Sequence, residues 1–330
     1  MQLLDELVEN ELKIFDNDKL KILDEFWSEV QLHKKDLLTK WGVEFTSLSG
    51  PCVKVKIQNG KVTLIERNHL KDKIKPERLN NTIDFLNQCC SSIKQLYLYI
   101  NLTDTGTDLN NYPVLVYSKC KSSSNILIPD PYFLYNYDKW HRLIPNTSLN
   151  EELNNAMSKS APFEQKRNIF MCRIQHNKFK SLNDITKGLD NVNVKCGYMR
   201  DKTHWVSLDD QLNNKYLITH PNRWDTIYKY VKSNSLILMF TTDANAYSWQ
   251  NKILIWLTLF LKPYEHYLPF SNREDFIECM NFCEKRPLEV KNIIKRASDI
   301  SEKYYTIQQA VNFGRILLEK IENKQKNYKL

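Results

Sequence analysis

The stretch "KYLITHPNRWDTIYKYVKSNSLILMF", Lys215–Phe240, decides the fold. Two apolar runs, Tyr216–Ile218 and Leu236–Phe240, have the length and branching of buried strands. Between them, residues 223–233 carry a helical pattern. The polar, basic and aromatic cluster His220, Asn222, Arg223, Trp224 and Asp225 follows the first strand and opens the helix. In α/β proteins this is where ligands are held, beyond the carboxyl ends of strands and at the N–H groups of a helix start. Taken alone, the cluster is equally an ordinary helix start, with Asp225 in its first turn and Trp224 in the core.

The same alternation extends in both directions. Upstream, apolar strands are expected at 95–102, 113–118, 125–129 and 168–174. "VKVKIQNGKVTLIER" is a hairpin pattern around Asn59-Gly60. Downstream, "HYLPF" (266–270) reads as a last short strand. Helices are expected at 17–40, 245–261, 272–284, 288–303 and about 306–323, the last with Ile307, Ala310, Val311, Gly314, Leu318 and Ile321 on one face. Two series of strands and helices predict two doubly wound α/β halves. The division expected is a domain at 1–150 with a helical extension over 1–45, a second domain at 151–305, and a C-terminal helix at 306–330 packing back on the first. The joint falls at 144–166.

The chain has 330 residues, 42% hydrophobic and 26% charged, a globular composition. Only 7 are glycine, and neither a Walker loop nor a dinucleotide loop is present. The net charge of +8 suits an anionic ligand as well as it suits a plain basic surface. No Lys/Arg tail of the nucleic-acid-binding kind exists, so nucleic acid is not the expected partner. The acidic start "MQLLDELVENELKIFDNDKL" does not read as a signal peptide, and the longest apolar run, Ile253–Leu261, is too short to span a bilayer. A cytoplasmic location is therefore expected. The eight cysteines form no zinc-ligand pattern, and reduced buried thiols are expected.

Several residues could carry chemistry. Asp104 directly follows the strand at 95–102, where a carboxylate can serve as general base. It could equally be a turn residue before Gly106. Asp104 and Asp108 together would be a weak metal pair. Arg173, His176, Lys178 and Lys180 follow the strand at 168–174 and could hold phosphate. Glu265-His266 opens the last strand, and a histidine there could be a base, a switch or a structural donor. Asp130 and Ser118 are further candidates.

In this order the pieces resemble glycosyltransferase family 90, the capsule-associated and protein O-glucosyltransferases. The resemblance is carried by "VKIQNGKVTLIER", "LYLYINLTD", "PVLVYSK", "NILIPDPYF", the Lys215–Phe240 stretch and "LKPYEHYLPF", over roughly 53–325. It implies a GT-B-like fold, two Rossmann-like domains around a cleft. It implies inverting, metal-independent transfer of glucose or xylose from a UDP-sugar to a glycan or protein hydroxyl. It makes Asp104 the base, and His220, Asn222, Arg223, Trp224 and Thr226, with Arg173 and Lys178, the nucleotide-sugar set. No cofactor beyond the UDP-sugar is implied. The chain departs from the family where Asp104-Thr105-Gly106 replaces Asp-Tyr-Pro, and where Met171-Cys172-Arg173 replaces an Arg-Gly. The family's Ser-x-Arg aligns with Trp224-Asp225-Thr226, with Arg223 displaced from the expected arginine position. Alternatives left open are a non-catalytic nucleotide-sugar or glycan binder, a metal-dependent transferase using Asp104 and Asp108, and a basic nucleic-acid-binding protein.

Overall fold

The structure is a computed structural model describing residues 2–13, 15–32, 52–67, 76–102, 113–119, 125–130, 149–174, 180–196, 206–221, 224–241 and 254–326. It divides into two compact units. The first comprises Met1–Tyr135, Lys252–Leu259 and Ile307–Leu330, and the second Asn136–Asn251 and Phe260–Thr306. Each holds a five-stranded sheet in a mixed α/β setting.

The first unit contains α1 (Gln2–Leu12), α2 (Asn17–Leu32), β1 (Cys52–Gln58), β2 (Lys61–Arg67), α3 (Pro76–Cys89), β3 (Gln95–Asn101), β4 (Leu115–Val116), β5 (Ser118–Lys119) and β6 (Ile126–Leu127). Its sheet runs β2-β1-β3-β4-β6. β1 is antiparallel to both β2 and β3, and β3, β4 and β6 are parallel. Asn59 and Gly60 both have positive φ, 51° and 76°, as a two-residue hairpin turn requires. Alternation along β1 buries Val53, Val55 and Ile57 and leaves Lys54 and Lys56 half-buried over the Tyr97 ring.

The second unit contains α4 (Leu149–Ser158), β7 (Arg167–Ile174), α5 (Lys180–Thr186), β8 (Val192–Cys196), α6 (Leu208–Leu212), β9 (Asn214–Thr219), α7 (Trp224–Val231) and β10 (Leu236–Phe240). β11 (Leu254–Ile255) belongs to the first unit and pairs there with β5, and after it the second unit resumes with β12 (Leu268–Phe270), α8 (Arg273–Lys285) and α9 (Pro287–Tyr304). The final helix, α10 (Ile307–Gln325), belongs to the first unit.

The second unit's sheet runs β12-β10-β9-β7-β8 with every neighbouring pair parallel. Phe170, Cys172, Tyr216, Ile218, Leu236, Leu238 and Phe240 face a core shared with Leu182 of α5, Phe276 of α8 and Ile293 of α9. The intervening Met171, Leu217, Ile237 and Met239 point to the opposite face and are buried too. A sheet covered on both faces explains why the strands read as unbroken apolar runs.

Several elements differ from the sequence reading. Residues 254–260, expected as part of a helix, form β11 and a 3-10 turn. The expected joint at 144–166 contains α4, where Leu153 and Ala156 are buried. β8, α5 and α6 were not anticipated. Ile307 is exposed rather than on the buried face of α10. Among the described residues, no helix is long and apolar enough to cross a membrane.

α10 packs against α1, α3 and β3. β4 meets β3 only at Ile100 and Leu115, which leaves the start of β3 without a strand on that edge. Side chains of α10 take the strand's place. Gln325 accepts from Tyr97 N–H at 3.2 Å and donates to Tyr97 C=O at 2.9 Å. Glu322 accepts from the N–H groups of Lys94 and Gln95 at 2.7 and 2.9 Å. Backbone groups on the part of β3 that β4 does not reach are thus paired.

Close approach of α10 to α3 depends on Gly314. A Cβ there would lie 2.6 Å from Cys89 Sγ and 2.7 Å from Phe85 Cζ, both in buried side chains. Alanine would add about 1 kcal/mol of helix propensity, but forced repacking costs about 1–3 kcal/mol. Gly314→Ala is expected to lower stability by up to about 2 kcal/mol in urea denaturation. A variant about 1 kcal/mol more stable than the parent, the full propensity gain with no repacking cost, would contradict this packing.

Lys166, just before β7, is buried at the amino edge of the second sheet. Its ammonium donates to Ser233 C=O at 2.6 Å and Ser235 Oγ at 2.8 Å, pinning the loop that leads into β10. Burial pushes its pKa down to about 8. The unfolded chain therefore binds more protons between pH 8 and 10.5, so stability rises with pH across that window. Relative to Lys166→Met, the parent should gain on the order of 3 kcal/mol from pH 8 to 10.5. Parallel pH profiles for the two proteins would contradict the lowered pKa of Lys166.

Candidate functional site

Chain order and spatial order together place a topological switch point in the second unit. β7 comes first, β8 lies on one side of it, and β9, β10 and β12 follow on the other. The connections leaving β7 and β9 therefore run in opposite directions, and their loops part at the carboxyl ends of these two neighbours. In open α/β sheets this switch point is where ligands bind.

Two polar atoms near these strand ends have no hydrogen-bond partner among the described residues: Arg173 Nε and Thr219 Oγ1. Extending the register from Met171 and Leu217 sets Arg173 level with Thr219. By alternation both lie on the face opposite the Phe170–Tyr216 stack, whose ring centroids are 4.3 Å apart. Thr219 is fully buried. Arg173 is half-buried, and desolvation lowers its pKa, though a guanidinium remains charged. Its Nη1 donates to Cys172 C=O and Asn193 C=O, both at 2.7 Å, and its Nη2 to Asn193 Oδ1 at 2.9 Å. Most of its donors thus clamp β7 to β8.

The residues nominated from sequence fall into three groups. Arg173 lies in β7, His220 directly follows β9, and Trp224 and Thr226 are in the first turn of α7, which follows β9. His220 is buried with its ring edge-on to Phe240, centroids 6.4 Å apart. Trp224 opens α7, and Thr226 is half-buried in its first turn. Asp130 and Ser118 belong to the first unit. Asp130 pairs with buried Arg78 at 3.1 Å, and Ser118 lies opposite Ile255 in the β5–β11 pair. Asp104, Asp108, Lys178, Asn222 and Arg223 lie outside the described residues.

Asp130 is part of a buried cluster at the carboxyl ends of β4 and β6. The Arg78 guanidinium lies 4.5 Å from the centroid of the Tyr117 ring. Thr82 Oγ1 donates its one proton to Arg78 C=O at 2.6 Å, so at 2.6 Å it must accept from the Tyr117 hydroxyl. Burial pushes the Tyr117 phenol well above its ordinary range. Arg78, Thr82 and Tyr117 were not singled out in the sequence. Their only sequence signal is a helix start and a strand end, which many structural residues share.

His266 proves to be a turn-former. Its Nδ1 accepts from Lys262 N–H at 2.9 Å, and its own N–H donates to Lys262 C=O at 3.0 Å. An accepting Nδ1 fixes the neutral ring with its proton on Nε2. Desolvation lowers its pKa, with nearby Arg296 and Lys262 acting the same way and Glu265 opposing. The unfolded chain takes up the proton first, so stability falls as pH drops below about 6.5. His266→Gln keeps an acceptor for Lys262 N–H and removes the titration. Thermal melts from pH 7 to 5 should show a steeper loss in the parent than in His266→Gln. Equal slopes would mean His266 is not held neutral.

A second concavity was missed in the sequence. A cleft of about 280 Å³ lies beyond the carboxyl ends of β10 and β12, bounded by Thr241, Tyr264, Asp275, Glu278 and Phe282. Asn272 caps α8 by accepting from Asp275 N–H at 2.8 Å, and Asp275 accepts from Ser271 N–H and Oγ–H at 3.0 and 2.6 Å. The Ser271 bonds hold the Asp275 carboxyl below its ordinary pKa.

No protein-family model matches this sequence, and no curated protein matches it. The likeness to family 90 glycosyltransferases rests on the motifs alone.

Proposed function

We propose that the chain is an inverting glycosyltransferase that moves glucose or xylose from a UDP-sugar to an acceptor hydroxyl. The observation carrying this reading is the order of the second sheet. Its single reversal falls between β7 and β9, at the strand ends whose following residues were nominated from sequence as the nucleotide-sugar set. In this reading the two units form a GT-B-like pair of Rossmann-like domains.

The chemistry follows from charge. Asp104 removes the acceptor hydroxyl's proton as its oxygen attacks the anomeric carbon. The bond to the UDP oxygen breaks from the opposite face, which inverts the configuration. Negative charge then grows on the diphosphate. The free N–H groups at the start of α7 stabilise it, with Arg223 and Lys178 as charged donors. Arg173 contributes mainly a fixed positive charge, because its hydrogen bonds go to β7 and β8. The reading needs no metal, and the acceptor is a glycan or a protein hydroxyl.

That same clamp favours one second reading, a nucleotide-sugar-binding protein without turnover, because it leaves Arg173 few donors for a leaving phosphate. One experiment separates the two. UDP-glucose and UDP-xylose are screened for a melting-temperature shift, and hits are assayed for sugar release with and without EDTA. A shift with EDTA-insensitive release that Asp104→Asn reduces at least a hundredfold, while keeping the shift, is the expected result. A shift without release would favour the binding protein. No shift with either nucleotide sugar would overturn both.

A further inference from the structure

We propose that Thr219, which was not among the residues nominated from sequence, joins Arg173 in seating one phosphate oxygen of the ligand at the switch point. The inference deepens the nucleotide-sugar reading and rests on it for the ligand's identity.

Thr219 ends β9 and is fully buried, with its Oγ1 unbonded among the described residues. Burying a hydroxyl with no bond made is costly. Packing alone gives no reason for it, because valine has the same shape without that cost. The neighbours on this face are apolar and buried. They are Leu217, two residues earlier, and Met239, opposite Thr219 on β10.

Arg173 supplies an independent reason for an anion. Its guanidinium is half-buried, and its hydrogen bonds go to uncharged groups, Cys172 C=O, Asn193 C=O and Asn193 Oδ1. Among the described residues no carboxylate acts on it. A half-buried charge without a counter-charge is stabilised by an anion. Those three bonds fix the guanidinium plane and leave Nε–H over, level with Thr219 on the same face of the sheet. α7 covers this face. It packs on β9 and β10, its Tyr230 lies near Arg173, and its buried Ile227, Tyr230 and Val231 take no part in the core on the other face. α7 begins at Trp224, a few residues beyond Thr219, so its opening N–H groups add to the same positive field. A phosphate oxygen accepts from Nε–H and from the Thr219 hydroxyl together, and both of these groups donate.

The test titrates inorganic pyrophosphate and UDP-glucose into the full chain, Thr219→Val and Thr219→Ser. Thr219→Val keeps the shape and removes the hydroxyl, so without ligand it should melt no lower than the parent. It should bind both ligands about tenfold or more weakly, with Thr219→Ser within about threefold of the parent. A second readout needs no Thr219 variant. In the parent, the Arg173 Nε–H resonance, assigned with Arg173→Lys, should move on adding pyrophosphate and not on adding uridine. Equal affinity of the parent and Thr219→Val for UDP-glucose would overturn the seat and leave the nucleotide-sugar reading standing. So would a ligand-free Thr219→Val that melts below the parent, or an Arg173 Nε–H that pyrophosphate does not move. Pyrophosphate binding that depends on Thr219, without UDP-glucose binding, would uphold the seat and overturn the nucleotide-sugar reading. Binding of neither would overturn both.

Discussion

Strand β7 is hydrogen-bonded on both sides, to β8 and to β9, in parallel. The second unit depends on that constraint. A parallel neighbour can be reached only through a crossover, and crossovers of one hand must pass over opposite faces to reach opposite sides. Once β8 and β9 flank β7, the loops leaving β7 and β9 diverge. A crevice at their carboxyl ends is a consequence of the chain path, whatever residues occupy it. The sequence then fills that place with an unusually polar turn.

The polar groups buried elsewhere are largely explained by incomplete secondary structure. A two-residue β4 leaves β3 open, and Gln325 and Glu322 close it. Lys166 performs a similar service at the opposite edge of the second sheet. His266 and Asn272 close turns. Arg173 Nε and Thr219 Oγ1 have no hydrogen-bond partner among the described residues, as is also true of Asn17 Oδ1, Asn81 Nδ2 and Asn214 Oδ1. What sets this pair apart is its place, level with each other at the ends of β7 and β9.

Most of the fold was legible in the sequence. Asn59-Gly60 can satisfy two positive φ angles and so announced a hairpin, and the apolar runs at 168–174, 216–218 and 236–240 announced buried strands. β8 was not anticipated, because "VNVKC" alternates apolar and polar residues over only five positions and lies mostly half-exposed at the sheet's edge. The helix expected over 245–261 failed at its end, where "LIWLTLF" is apolar throughout and has no helical stripe to distinguish it. The strand order was beyond sequence reading, since periodicity does not record which strands pair. Candidate site residues could be nominated only where they follow strands, as with His220 and Trp224. The Tyr264 cleft was hidden because its carboxylates read as a helix start and its tyrosine as one of many aromatics.

Hydrogen–deuterium exchange with and without saturating UDP-glucose tests the central claim most directly. Binding at the crevice predicts slowed exchange in peptides covering 174–180 and 219–227, with the amino edge around 164–168 and 233–236 unchanged. Protection confined to other segments, or none at all, would contradict a nucleotide-sugar site between β7 and β9.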